Sequence, residues 1–283
     1  MLTIALNMCC RLFCLLAFAV SWHAANAQFH AQYIPGQQVV PMLFGKGMTR
    51  LSGVAQGSIS AIDFRDAPIG GFHLDGAYAL DRCWGLVGSL DLHRMDATTE
   101  YATYFSSGAP PRKYTERDQG RWSYGELGAG RYRVFDDNWV GEVYGLFGYG
   151  TTWNEWPDGW WTRTRMHGVS AQANIGRVSG FFEWALVNRL RFFTISDIRT
   201  GGSLDEEDPR DFELVLTRQG PFLVWEPGVM VRVGWKYVRL TFQAGFSGDV
   251  IGTMPERADL NVGLGLSLFL PARTLPGSVG SGQ

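Results

Sequence analysis

The chain has 283 residues, and 25 Lys and Arg against 27 Asp and Glu give a formal charge of −2, which excludes a basic nucleic-acid-binding surface. Glycine is abundant at 36 residues and aromatics reach 14%, while charges are dispersed along the whole sequence, which excludes a bundle of membrane-spanning helices.

In chain order, the one long apolar run is Leu12 to Val20, preceded by Arg11 and followed by Ala25-Asn26-Ala27. This pattern predicts a secretory signal peptide over 1–27, cut between Ala27 and Gln28, with Met8 as an alternative start. Sec export follows from it. Cys9, Cys10 and Cys14 lie in that segment without a small-residue lipobox, so Cys83 is the only cysteine expected in the mature chain and no intramolecular disulfide can form. Residues 28–47 contain Pro35-Gly36 and Pro41 and read as a periplasmic lead-in, with a short extended piece from Gln38 to Leu43.

Ten segments then alternate apolar and polar residues, at about 48–58, 69–80, 84–95, 121–134, 139–151, 165–177, 180–194, 221–234, 237–248 and 259–270. Their connections alternate in length. Residues 81–83, 135–138, 178–179 and 235–236 are tight, whereas 59–68, 96–120, 152–164, 195–220 and 249–257 are long and polar. Strands long enough to cross a bilayer, joined alternately by short turns and long loops, predict an all-β, antiparallel, up-and-down transmembrane β-barrel over 48–270. Ten strands are expected, or eight if strand one or strand eight fails, with a flexible tail at 271–283. Pro227 in strand eight predicts a bulge or a late strand start.

Charge assigns the faces, since Arg or Lys facing lipid at mid-membrane costs about 2–4 kcal/mol. Phe72, Leu74, Tyr78, Leu80, Trp84, Leu86, Leu90, Leu92, Val238, Leu240, Phe242 and Phe246 therefore face out, and Arg50, His73, Asp75, Asp91, His93 and Gln243 face in. Arg131 and Arg133 depart from the rule and point outward beside the 135–138 turn. Trp84, Trp139, Trp184 and Trp235 fall at the short turns, and Trp153, Trp156, Trp160, Trp161 and Trp225 near the long loops, as interfacial belts would. The run from Trp153 to Trp161 has a second reading as a stacking loop for a carbohydrate or other ligand.

Three groups carry candidate chemistry. His73, Asp75, Asp91 and His93 are weak candidates for a catalytic site, because pairing about the tight turn near Arg82 sets His73 opposite Asp91 near the outer rim. There a carboxylate-oriented imidazole could activate water. The arrangement resembles the outer-rim Asp and His residues of the ten-stranded omptin proteases, although no motif specific to them is present; mutual satisfaction inside a lumen is the bland alternative. Glu126, Glu142, Glu183 and Glu226 with Arg189, Arg191, Arg232 and Arg239 form a lumen network, readable as the lining of a narrow channel or as an ion-paired filling. Asp205-Glu206-Glu207-Asp208 with Asp211 lacks the spacing of a calcium loop. No metal site or cofactor is expected.

Tyr33-Ile34-Pro35, Gly125-Glu126-Leu127-Gly128-Ala129-Gly130, Gly141-Glu142-Val143-Tyr144-Gly145, and Trp225-Glu226-Pro227 followed by Val231-Arg232-Val233-Gly234 resemble the small outer-membrane β-barrel proteins of Bacteroidetes-type bacteria. The resemblance covers most of the mature chain; it implies fold and location and supplies no activity. The sequence thus predicts an outer-membrane surface or envelope barrel of a Gram-negative bacterium, with both termini periplasmic and a narrow charged lumen. Its expected partners are outer-membrane lipid and lipopolysaccharide, the barrel-assembly machinery, and an extracellular ligand held through loops 96–120, 152–164 and 195–220. A rim hydrolase and a narrow pore or small-solute transporter are the alternatives.

Overall fold

The computed structural model describes residues 37–59, 69–103, 112–135, 138–156, 159–201, 220–252 and 260–270. The predicted signal peptide, the C-terminal tail and the acidic run at 205–211 lie outside these residues. The strands are β1 (Thr49–Ile59), β2 (Ile69–Ala79), β3 (Trp84–Thr103), β4 (Arg112–Val134), β5 (Trp139–Glu155), β6 (Trp161–Val178), β7 (Phe182–Gly201), β8 (Phe222–Gly234), β9 (Val238–Phe246), β10 (Gly248–Ile251) and β11 (Leu260–Leu270).

Each strand from β1 to β8 pairs antiparallel with its chain neighbours, and β8 pairs with β9. β11 closes the ring, bonded to β9 on one side and β1 on the other. β9 and β10 are two pieces of one wall strand, because Gly245 faces Gly228 and Gly248 faces Trp225 in an unbroken register along β8. The wall therefore has ten strands. Closure leaves no open sheet edge around it, so backbone N–H and C=O groups are satisfied without water.

Pro227 sits at the gap between β9 and β10, where its missing N–H interrupts the ladder. It causes neither the late start nor the bulge that sequence suggests: β8 begins at Phe222, and the register shift comes later, between Asp249 and Ile251. A second difference lies at the outer end. β3 to β7 are 20, 23, 17, 18 and 20 residues long, while β1, β2 and β11 have 11 each. Five strands thus run on into segments read from sequence as loops 96–120, 152–164 and 195–220. The inward positions there are mostly polar, with Thr152, Asn154, Thr162 and Thr164 buried at 0–3% exposure, so those extensions carry no apolar alternation by which to recognise them.

The faces are segregated as charge predicts. Leu127, Val143 and Phe147 are 75%, 62% and 60% exposed on the outside, whereas Arg50, Arg189, Arg191 and Arg232 are 0% exposed inside. The short turns are locally encoded. Asp81 Oδ1 accepts the N–H groups of Cys83 and Trp84 at 2.7 and 2.6 Å. Those two donors hold its carboxyl below the usual carboxylate range. Asn138 takes the left-handed conformation (φ 73°) that ends the 135–138 turn, one that Asn tolerates better than most residues.

The largest departure from expectation is the lead-in. Residues 37–43 are buried throughout and run inside the barrel. Gln37 Nε2 donates to Asn261 Oδ1 at 2.7 Å near the outer ends of the strands, and Gly47 N donates to Ala79 O at 2.8 Å by the first short turn. Between them Gln172 bonds Val39 O, Arg50 Nη1 bonds Val40 O at 3.2 Å, and Leu43 N donates to Glu142 Oε1 at 2.8 Å. Three inward glycines make the slot. A Cβ at Gly85, Gly228 or Gly263 would lie 2.6 Å from Leu43 Cδ1, 2.5 Å from Gln38 Oε1 or 2.7 Å from Gln37 Nε2. Burial of Val39, Val40, Met42 and Leu43, each at 0–1% exposure, drives the segment into the space those glycines leave.

Closure can be tested at its seam, where Ser52 is the ladder partner of Ser267 and their Oγ atoms are 2.8 Å apart. In a Cys83→Ser background, Ser52→Cys with Ser267→Cys is expected to form a disulfide in the folded protein on mild oxidation. Free thiols persisting in folded protein would contradict the β1–β11 register.

Candidate functional site

β2 and β3 pair in the register that sets His73 opposite Asp91, Asp75 opposite Ser89 and His93 opposite Gly71. All four side chains point inward. His73 Nδ1 lies 2.8 Å from Asp91 Oδ1, and His73 Nε2 lies 3.3 Å from Asp75 Oδ2. The imidazole thus lies between two carboxylates, hydrogen-bonded to Asp91 through Nδ1 and within ion-pair distance of Asp75 through Nε2. Gln56 extends the group: its Nε2 is 3.0 Å from Asp91 Oδ1 and 2.8 Å from His93 Nε2, while its Oε1 accepts from Asn261 Nδ2 at 3.3 Å. Asn261 in turn takes the Gln37 bond, so the cluster is tied to the lumen segment. Sequence reading brings the two His and two Asp together correctly but misses Gln37, Gln56 and Asn261. Inward parity marks Gln56 and Asn261; nothing local marks Gln37.

Access decides what this group can do. His73 and Asp91 are 0% exposed and His93 4%. Ile69, Met95, Trp122, Tyr124, Met166, Phe193, Phe222 and Val224 form one apolar cluster at the outer end of the lumen, and the Trp122 ring meets His93 edge-on at 5.1 Å. The cavity beside His93 measures about 10 Å³, room for about one water and no substrate. The His73–Asp91 contact is present, and an apolar layer lies beside it among the described residues.

Toward the short turns the lumen holds two ion-pair clusters. In the upper one Glu126 Oε2 meets Arg189 Nη1 and Arg191 Nη2, each at 3.0 Å, and Glu226 Oε2 meets Arg189 Nε at 2.5 Å. Ser170 Oγ donates to Glu126 Oε1 at 2.7 Å, and the Arg191 guanidinium lies 4.6 Å over the Tyr124 ring. The lower cluster centres on Glu183, which holds Arg50 at 2.8 Å, Arg232 at 2.9 Å and Arg239 at 2.6 Å. Arg50 and Arg239 also stack on Phe269, at 3.9 and 4.7 Å.

Two assignments change. Glu142 is not paired with arginine: its Oε1 accepts from Leu43 N and from Tyr144 O–H at 3.3 Å, and its Oε2 accepts from Asn174 Nδ2 at 2.9 Å. Its role is to receive the lumen segment. Arg50, absent from the predicted network, takes Glu142's place as a member of it. The arrangement fills this part of the lumen with paired charge, although Arg50 Nε, Arg239 Nε and both Arg232 Nε and Nη2 are buried without a hydrogen-bond partner. Among the described residues no group of three or more His, Cys, Asp or Glu is placed to hold a metal ion.

No protein-family model matches the chain, and no curated protein does. Among solved structures it is similar to Ail, the attachment invasion locus protein of Yersinia pestis, at 12% identity over 81% of this chain and 100% of that one, with a TM-score of 0.33. It is also similar to the beta domain of the Bordetella autotransporter BrkA, at 13% identity over 80% and 100% of the two chains and a TM-score of 0.38. The translocator domain of the autotransporter NalP from Neisseria meningitidis matches at 13% identity over 79% of this chain and 88% of that one, with a TM-score of 0.40.

Removing one partner from a buried ionic cluster costs about 3–5 kcal/mol, because the remaining charges lose their compensation. Glu183→Gln, which leaves Arg50, Arg232 and Arg239 facing one another, is expected to destabilise by that amount in urea unfolding of the folded barrel. A change below about 1 kcal/mol would show that the cluster is not the staple its geometry describes.

Proposed function

We propose that the chain is an outer-membrane surface barrel of a Gram-negative bacterium, closed to ions and solutes, that presents its extended outer sheet to ligands or partners. The short turns face the periplasm in this reading and the long connections face outside. An apolar exterior around a charged interior supports insertion in lipid, since that distribution inverts the one a water-soluble sheet needs. The observation that carries the closed-barrel reading is the lumen itself, filled by residues 37–43 and two ion-pair clusters from the outer apolar layer down to Glu183. Lengthening only β3 to β7 supports display, because it raises a five-strand sheet beyond the wall without adding to the membrane span.

The rim-hydrolase reading keeps one observation in its favour, the 2.8 Å contact of His73 with Asp91. Burial of His73, Asp75, Asp91 and His93 beneath the apolar layer favours a structural role for them instead. A transporter reading fits the filled lumen poorly.

Planar-bilayer recording of the refolded protein distinguishes these. The wild type is expected to give no stable conductance, and a variant lacking residues 37–43 to give discrete openings. Stable conductance from the wild type would contradict the closed-barrel reading.

A further inference from the structure

On the outer face of the wall, β3 to β7 contribute one residue each to a single in-register row. Arg94 is the ladder partner of Arg121, Arg121 of Trp153, Trp153 of Arg163, and Arg163 of Arg199. Two pairs of arginines are therefore directly opposed, an arrangement unfavourable to a sheet. Stability of the fold does not account for it.

The carboxylates nearby do not neutralise the row. Asp96 binds Arg94 at 3.3 Å and Arg117 at 2.6 Å, and Asp197 binds Arg199 at 3.0 Å and Arg165 at 2.9 Å, so each acid already serves two arginines. Arg121 and Arg163, on either side of Trp153, have no carboxylate within ion-pair distance among the described residues, and Asp197 acts on Arg163 only at longer range. Both are exposed. The Arg121 guanidinium lies 5.5 Å from the Trp153 ring, a contact that leaves its N–H groups free to donate. Arg94, Arg121, Trp153 and Arg163, with the hydroxyls of Ser123 and Thr151, line an external concavity of about 510 Å³.

Depth in the membrane narrows the ligand. Leu92 precedes Arg94 on the same face and Tyr149 precedes Trp153 by two outward positions, and both belong to the exposed apolar band. At about 3.3 Å per residue the row begins roughly 7 Å beyond Leu92, the level of lipid headgroups and not of bulk solvent. Two unpaired guanidinium forks suit phosphate oxygens, and an indole between them suits the apolar face of a sugar ring. The wall below, with Leu92, Phe147 and Tyr149 outward, suits acyl chains.

We propose that this row binds the phosphorylated sugar headgroup of an outer-leaflet glycolipid of the lipid A type. The inference rests on the reading above that the long connections face outside. The phosphate accepts from Arg121 and Arg163, Trp153 stacks on the sugar, and Ser123 and Thr151 supply hydroxyls at the floor.

The test uses the full chain refolded in detergent and checked for heat-modifiable migration, titrated with bisphosphorylated lipid A, dephosphorylated lipid A and inositol hexakisphosphate. Saturable binding of the bisphosphorylated form is expected, at least about tenfold tighter than the dephosphorylated form. Arg121→Gln with Arg163→Gln should weaken it by a similar factor, Trp153→Ala should weaken it as well, and Arg131→Gln with Arg133→Gln at the opposite end should leave it unchanged. If the double variant does not fold, Arg163→Gln alone with a steep loss of wild-type affinity in salt gives the same reading. Binding indifferent to phosphate, or retained in the folded double variant, would overturn the proposal; so would inositol hexakisphosphate binding as tightly as lipid A, which would assign the row to a soluble polyanion. Loss of lipid A binding with heat-modifiable migration intact fails this site alone, whereas absence of that migration in the wild type fails the barrel reading beneath it.

Discussion

Glu183 has no exposed surface, and its two carboxylate oxygens hold Arg50 from β1, Arg232 from β8 and Arg239 from β9. Those strands, with β7, surround the place where the sheet returns on itself. A carboxylate buried without partners is costly, and three arginines buried without a carboxylate are worse. The cluster is therefore satisfied only when β1 and the β7 to β9 side stand across one lumen. Closure in turn leaves the wall without an edge, which is what permits its outside to be apolar.

The lumen that results is a polar core with its own packing problem. Ten strands enclose a space that wall side chains alone do not fill where Gly85, Gly228 and Gly263 point inward. Residues 37–43 occupy it. Their main chain would be an intolerable set of unpaired groups in an apolar core, but here it is matched by Arg50, Glu142 and Gln172. The same segment anchors the buried His-Asp group through Gln37 and Asn261, so the interior is one connected network from the outer apolar layer to the first short turn.

Much of this was legible in the sequence because lipid imposes a sharp rule on every second residue. The ten wall strands, the outward set from Phe72 to Phe246 and the facing of His73 and Asp91 all follow from alternation and turn position. What stayed hidden lacks that rule. Extensions of β3 to β7 bury polar residues such as Thr152, Asn154, Thr162 and Thr164 on their inner face and so have no apolar period. The path of residues 37–43 depends on three glycines separated from it by up to the whole barrel, and on Glu142, whose parity shows that it points inward but not what it meets there. The arginine row is of the same kind: each member reads as an ordinary exposed charge until register sets Arg94, Arg121, Trp153, Arg163 and Arg199 side by side.

The central claim is that an N-terminal segment forms part of the barrel's core, and hydrogen exchange measures this directly in the protein folded into lipid vesicles. Buried, bonded backbone exchanges only through opening of the structure that buries it. The amides of Met42 and Leu43, which donate to the buried Glu142 carboxylate, are predicted to exchange as slowly as those of the wall strands β4 and β5. Exchange of that segment at the rate of an unstructured peptide, with the wall protected, would contradict the account.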